Sequence, residues 1–168
     1  TKSRGLGDVY KRQEQKFFND CVELLITNTK IELPEHFVKK LIIANQKEKV
    51  NENDIEKEFS QSTKGIKYQL IESTLIEDNN IDISSDAVKD YAKEMVKKQM
   101  AMYGQNKVDD EELNSIVERV TSNQDELKRI YSMLLNEKIL NVFKNKMTKK
   151  ESKVDYKKFI ETAYDKNV

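Results

Sequence analysis

A chain of 168 residues suits one domain, but only 37% of these residues are hydrophobic while 36% are charged, and the mean hydropathy is −0.80. The 30 basic and 30 acidic side chains give a formal net charge of zero, so direct nucleic-acid binding is not expected. One Pro and four Gly leave most of the sequence free of helix breakers, which favours an all-α protein with a large exposed surface.

The first thirteen residues differ from the rest of the chain. Gly5-Leu6-Gly7 is expected to interrupt a helix, and residues 1–13 carry no apolar stripe. The run Asp8–Gln13 looks like a sequencing-library adapter translated in frame. The alternative is a basic anion-binding arm, which rests on Lys2, Arg4, Lys11 and Arg12. We therefore predict a non-native leader at 1–13 and a helical domain at 14–168.

The first predicted joint links two helices through a short extended segment. An amphipathic helix covers Glu14–Thr27, and Ile31-Glu32-Leu33 is predicted to be extended. Pro34 opens the next helix, because its missing N–H has no partner at the first helical position. A capped helix at Asn51–Phe59 and a polar break at Ser60–Lys64 follow. In the helix that Pro34 opens, four apolar residues are predicted to face inward: Phe37, Val38, Leu41 and Ile42.

The second joint is the element around which we expect the fold to be organised. A helix that begins at Gly65 leads into it, and Asp78-Asn79-Asn80 ends that helix because short polar side chains favour caps and turns. An extended Ile81-Asp82-Ile83 follows. Ser84 or Ser85 is then predicted to cap the next helix. That helix has the apolar stripe Val88, Tyr91, Ala92, Met95 and Val96.

The remaining helices are predicted from their end signals. Gly104 supplies a helix C-cap, and Asp109 with Glu112 three residues later forms a capping box for a short helix. Asn123 with Glu126 is predicted to cap the longest helix, Asn123–Lys146, and shorter helices are expected to pack against it. A weaker third joint, with a turn and a further helix, is predicted within Lys144–Tyr164.

The order and spacing of these segments resemble the C-terminal chaperone domain of bacterial trigger factor. The resemblance covers about Phe17 to Ala163. It is carried by Leu24–Ile42, with its Ile-Glu-Leu-Pro-Glu core, and by Gly65–Ala92, with Asn-Asn-Ile-Asp-Ile-Ser. It implies an elongated multi-helix body with protruding helical arms that bound an apolar cradle. The family's ribosome-docking domain and its FKBP-type prolyl isomerase domain have no counterpart in this chain, so we expect a fragment.

The resemblance also implies a function. The fragment would be an ATP-independent holdase that binds unfolded or nascent polypeptides, assists protein folding and transport, and needs no cofactor. It would lie in the cytoplasm and would reach the ribosome only through the absent domain. No membrane partner is expected, because no apolar run has the length needed to cross a bilayer. Two alternatives remain open: the helical core of a periplasmic parvulin-type chaperone-isomerase, and a non-catalytic helical scaffold that binds one defined partner.

No catalytic or metal site is predicted for this fragment. Catalysis needs a convergent set of groups, and the chain has one His, one Cys and no phosphate-binding Gly loop. His36 has no second metal ligand nearby in sequence and is predicted to lie exposed in the first turn of a helix. Cys21 stands alone, so no internal disulfide and no oxidising compartment are indicated.

A cluster of methionines and other apolar residues is the candidate client-binding patch. Methionine is unbranched and polarizable, so it adapts to partners of different shape. The alternative is that these side chains belong to the core, which is the more common role of a methionine stripe. The candidate residues are Met95, Met100, Met102, Tyr103, Leu113, Ile116 and Val117.

We predict that deleting Thr1–Gln13 leaves the fold unchanged, because this segment has no apolar stripe with which to pack. The measurement is the thermal midpoint of the truncated and complete chains by circular dichroism. A fall of more than about 3 °C would contradict the prediction, since it corresponds to about 1 kcal/mol for a chain of this size.

Overall fold

A computed structural model describes residues 2–45 and 51–147 of the chain. Within these ranges there are six helices and no strand, so the all-α prediction is confirmed. The predicted helix within residues 155–164 lies outside the described residues. The helices are α1 (Lys2–Asn28), α2 (Glu35–Asn45), α3 (Glu52–Asp78), α4 (Ser85–Met102), α5 (Asp110–Ser122) and α6 (Gln124–Lys146).

The chain divides into two compact units, which we describe separately. The first includes α1, α2 and α3 as far as Leu75, and the second runs from Ile76 to Asn145. The second unit therefore contains the predicted organising joint, together with α4, α5 and nearly all of α6.

Two predicted helix breaks are wrong. Helix α1 passes through Gly5 and Gly7, and α3 passes through Ser60–Lys64 and Gly65 without interruption. A glycine within a helix costs only about 1 kcal/mol relative to alanine, so a long helix with many hydrogen bonds tolerates it. As a result α1 and α3 have 27 residues each and exceed α6, which has 23 and was predicted to be the longest. The origin of residues 1–13 stays a prediction.

In the first unit, α2 buries a narrower stripe than the sequence indicated. Val38 and Ile42 are buried, one helical turn apart. Phe37 and Leu41 were predicted to face inward but have exposed fractions of 63% and 49%. Each of them lies about 100° around the helix from its buried neighbour, which turns it away from the buried stripe. Pro34 lies one position before α2, and its carbonyl oxygen accepts hydrogen bonds from the N–H groups of residues 37 and 38.

An ionic cluster connects α2 to α3. The Lys39 ammonium forms ion pairs with Glu35 in α2, at 2.8 Å, and with Glu56 in α3. It also lies 5.0 Å from the centroid of the Phe59 ring. The hydrogen bond to Glu35 and, as the next largest cause, the hydrogen bond to Glu56 raise the pKa of Lys39. These exposed contacts link α2 to α3 next to the buried Val38, and each ion pair contributes little to stability because water screens it.

The organising joint of the second unit is built from a helix stop and a helix start. Asn80 has a positive φ of 49°, which asparagine tolerates better than most residues. The N–H of Asn80 donates to the Glu77 carbonyl and the N–H of Ile81 donates to the Ile76 carbonyl, which together form a Schellman motif at the end of α3. Ile81 and Ile83 then lie half-buried in the connecting segment.

The start of α4 confirms Ser84 as the N-cap. Its hydroxyl oxygen accepts a hydrogen bond from the Ala87 N–H at 3.3 Å. The Ser84 N–H in turn donates to the Asp82 carboxylate at 2.9 Å. This backbone hydrogen bond is the main reason that the pKa of Asp82 is lowered, and Lys138 adds a smaller electrostatic contribution. The joint is therefore ordered by local hydrogen bonds as well as by its two isoleucines.

Three other predicted end signals differ in outcome. Asn123 caps α6 as predicted, with its side-chain oxygen accepting from the N–H groups of Asp125 and Glu126. The capping box at Asp109 is wrong, because the Asp109 side chain makes no cap hydrogen bond and only its carbonyl accepts from the Leu113 N–H. Gly104 follows α4 with a φ of 84° and forms a second Schellman motif, so its predicted role is confirmed.

The core of the second unit lies among α4, α5 and α6. Helices α4 and α5 pack directly on each other. Each of the three helices contributes one pair of buried residues four positions apart to this cluster, and α6 buries Leu135, Ile139 and Phe143 in addition. Around them lie partly buried side chains, including Tyr91, Met95, Leu127 and Tyr131. The buried pairs are Val88 and Ala92, Leu113 and Val117, and Ile130 and Leu134.

We predict that replacing Ile81 and Ile83 together with Ser lowers the free energy of unfolding by about 2 kcal/mol, since each half-buried isoleucine loses about half of its burial energy. Urea unfolding is the measurement, and the exposed loop substitution Lys107→Ser is the control. An unchanged midpoint in the double variant would mean that the joint does not depend on these side chains.

Candidate functional site

The candidate patch separates into buried and exposed residues. Met102 and Tyr103 are 85% and 81% exposed. Leu113 and Val117 are 3% exposed each and belong to the core of the second unit. The other three candidates, Met95, Met100 and Ile116, are half-buried. Leu113 and Val117 cannot contact a second protein while the helices stay packed, so we leave both out of the surface considered below.

The exposure of Met102 and Tyr103 follows from where α4 ends. Val96 is the last residue of α4 that packs against the core, and Met102 lies about 9 Å further along the helix axis at ~1.5 Å per residue. The Schellman motif at Gly104 then turns the chain, and Val108 is the next residue that packs on the core. Met102 and Tyr103, which we call the tip pair, therefore extend beyond the packed part of the unit.

A second exposed apolar surface lies on α2 in the first unit. Phe37, Leu41 and Ala44 are all exposed and occupy positions i, i+4 and i+7, which places them on one face. We call these three residues the α2 stripe. Sequence analysis placed Phe37 and Leu41 in the core. The sequence did contain a signal of this exposure. Residues 37, 38, 41, 42 and Ala44 together form an apolar face of α2 that is wider than one packed neighbour covers.

The second unit also has a groove that the sequence did not predict. It has a volume of about 620 Å³ and lies among the start of α4, the end of α5 and the first half of α6. Four apolar or aromatic side chains form part of its wall, and the remaining residues are lysines or carry hydroxyl groups. The apolar and aromatic members are Ile83, Val88, Leu127 and Tyr131.

Within residues 2–45 and 51–147, no three His, Cys, Asp or Glu side chains are placed to hold a metal ion. His36 is exposed in the first turn of α2, as predicted, and Cys21 is buried in α1. Burial is the main reason that the pKa of Tyr91 is raised, and the nearby Glu137 raises it further. In the same ranges, no helix has the length and apolar character required to span a membrane.

We predict opposite outcomes for two apolar truncations in the candidate patch. Leu113→Ala should lower the free energy of unfolding by about 2–5 kcal/mol, because it leaves a cavity in the core. Met102→Ala should change it by less than about 0.5 kcal/mol, because the side chain is already exposed. Urea unfolding of both variants is the measurement. Equal losses would contradict the division into core and surface.

Comparison with known proteins places the chain in a family. A search of curated proteins and a search of solved structures each gave no match. The sequence does match a family model described as probable trigger factor, C-terminal domain, over residues 13–162. This range contains the tip pair, the α2 stripe and the groove, and it agrees with the resemblance found at residues 17–163. The chain therefore belongs to the trigger factor C-terminal domain family.

Proposed function

We propose that this chain is an ATP-independent holdase that binds unfolded or nascent polypeptides through exposed apolar side chains. The observation that carries the proposal is that large apolar residues are exposed on both units while separate residues form the core. Phe37 is 63% exposed on α2, and the tip pair is more than 80% exposed at the end of α4. The family assignment supports a chaperone role in general terms.

The chemistry of these residues suits weak and adaptable binding. Burying about 100 Å² of a client's apolar surface contributes about 2.5 kcal/mol, before the cost of immobilising the partners. Met102 can adjust its shape to different clients, and Tyr103 adds a large, rigid apolar face. Several such contacts would delay aggregation of a client, while the loss of any one of them would permit release without nucleotide hydrolysis.

The proposal includes expectations that come from the family alone. The apolar cradle between helical arms and the cytoplasmic location are part of it. The matched domain is not the isomerase domain of trigger factor, so binding and not catalysis is the proposed activity of this chain. The family match disfavours the parvulin-type alternative, and the single-partner scaffold becomes one outcome of the test below.

The test combines two apolar surfaces with a matched polar control. The variant Phe37→Ser, Leu41→Ser, Met102→Ser and Tyr103→Ser removes the large side chains of the α2 stripe and the tip pair. We expect at least a fivefold rise (~1 kcal/mol) in the concentration needed to halve the aggregation of a chemically denatured client. The control replaces four exposed polar residues on the same elements with serine: Lys40, Asn45, Gln99 and Asn106.

Light scattering of the diluted client measures suppression, and urea unfolding checks each variant. The apolar variant should stay within about 1 kcal/mol of the parent in stability, since the replaced side chains lie outside the core. Full suppression by the folded apolar variant would show that clients bind elsewhere. If the parent itself suppresses no aggregation of unrelated clients, the holdase function is wrong and the single-partner scaffold takes its place.

A further inference from the structure

The groove in the second unit combines an apolar wall with a cationic rim. Val88 is 4% exposed, and the half-buried Leu127 and Tyr131 pack against the same core cluster. The wall is therefore fixed by the core and does not need to form on binding. Its volume of about 620 Å³ falls within the ~300–1,000 Å³ that is usual for ligand pockets, and it holds a large side chain with part of its neighbours.

Two lysines are the charged residues of this groove. Lys89 comes from the first turns of α4 and Lys128 from the first turns of α6, so the positive charges stand on two different helices. Neither lysine forms an ion pair with another residue in the part of the chain that the structure describes. None of the lining residues is acidic, although the chain as a whole has as many acids as bases.

The backbone adds to this positive character. Ser85, which also lines the groove, is the first residue of α4. The amino end of a helix carries a partial positive charge, so it favours a negative group placed near it. Two acidic side chains lie near this helix end, Asp82 and Asp86, and neither lines the groove; Asp82 already accepts the hydrogen bond from the Ser84 N–H. A ligand with a carboxylate would therefore meet positive charge without a competing acidic group in the wall.

We infer that this groove is a subsite for an acidic and apolar peptide segment. A large apolar side chain of the peptide packs against Ile83, Leu127 and Tyr131, and a neighbouring carboxylate lies between Lys89 and Lys128. The inference rests on the proposed function, because the peptide would be part of an unfolded client. It goes further by assigning a charge preference and a site separate from the tip pair and the α2 stripe.

Other ligands match the groove less well. An inorganic or nucleic-acid phosphate would satisfy the lysines but would leave the apolar wall exposed to water. A basic peptide would place like charges beside Lys89 and Lys128. A purely apolar peptide would fill the wall and leave both ammonium groups without a partner. The acidic and apolar segment is the ligand that uses both features.

The experiment measures binding of three labelled peptides to the complete chain by fluorescence anisotropy. Each peptide has a central Leu-Phe pair, flanked on both sides by two Asp, two Asn or two Lys residues. We expect the acidic peptide to bind about five- to tenfold more tightly than the neutral one, and the basic peptide to bind more weakly than both. Raising the salt from 0.05 M to 0.5 M should reduce these differences, because it screens exposed charges.

Two double variants test whether the preference belongs to the groove. Lys89→Glu with Lys128→Glu should invert the order of the three peptides. The control, Lys57→Glu with Lys98→Glu, changes the net charge equally at exposed positions outside the groove and should leave the order unchanged. A third variant, Ser132→Trp, fills the groove from an exposed position and should weaken the acidic and neutral peptides alike. Circular dichroism establishes that each variant is folded.

The outcomes separate this inference from the proposed function. Equal binding of the three peptides to the parent, or an equal response of both double variants, would overturn the charged subsite. If the parent still suppresses aggregation, the holdase function stands without it. If no peptide binds and the parent forms a dimer that Ser132→Trp dissociates, a second copy covers the groove and the inference fails. Selective acidic binding without suppression would support the groove and contradict the holdase function.

Discussion

The second unit depends on three narrow buried stripes that meet in one core. In this core, each helix contributes two fully buried residues a single turn apart, and partly buried side chains such as Tyr91 and Met95 pack around them. Ala92 is 1% exposed and has the smallest side chain of the six, which leaves room for the larger side chains of the other two helices. This arrangement lets a chain with few hydrophobic residues form stable helices that remain mostly exposed to solvent. The core members are Val88, Ala92, Leu113, Val117, Ile130 and Leu134.

Narrow core stripes also explain why apolar side chains remain on the surface. In the first unit, α2 buries Val38 and Ile42, and the adjacent face with Phe37 and Leu41 is left exposed. In the second unit, α4 continues past its last core residue and ends at the tip pair. Such residues raise the risk of self-association, and a chain that keeps them needs another source of solubility. The 60 charged side chains keep much of the remaining surface polar, although their opposite signs cancel to a net charge of zero.

Local signals predicted the joints well, whereas properties that depend on distant neighbours were missed. Ser84, Asn123 and Gly104 end or begin helices as expected, because a cap is decided by a few adjacent residues. The breaks expected at Gly5 and at Ser60–Lys64 do not occur, because the cooperativity of a long helix outweighs a local cost of about 1 kcal/mol. The orientation of Phe37 depends on the width of the contact that α2 makes, and the groove depends on how three consecutive helices pack on one another. Periodicity within one helix contains neither kind of information.

Helix α4 has a defined beginning and a defined end, and this has a consequence for the length of the peptides proposed to bind it. Ser84 fixes the first residue, and the left-handed Gly104 fixes the turn after the last one, so the helix cannot easily gain or lose a turn. Lys89, the groove residue of α4 nearest the tip pair, precedes Met102 by 13 positions, which is about 20 Å along the axis. An extended polypeptide advances about 3.3 Å per residue, so about six residues are the least that would reach from the groove to the tip pair. On the proposed function, a peptide shorter than this would occupy only one of the two surfaces.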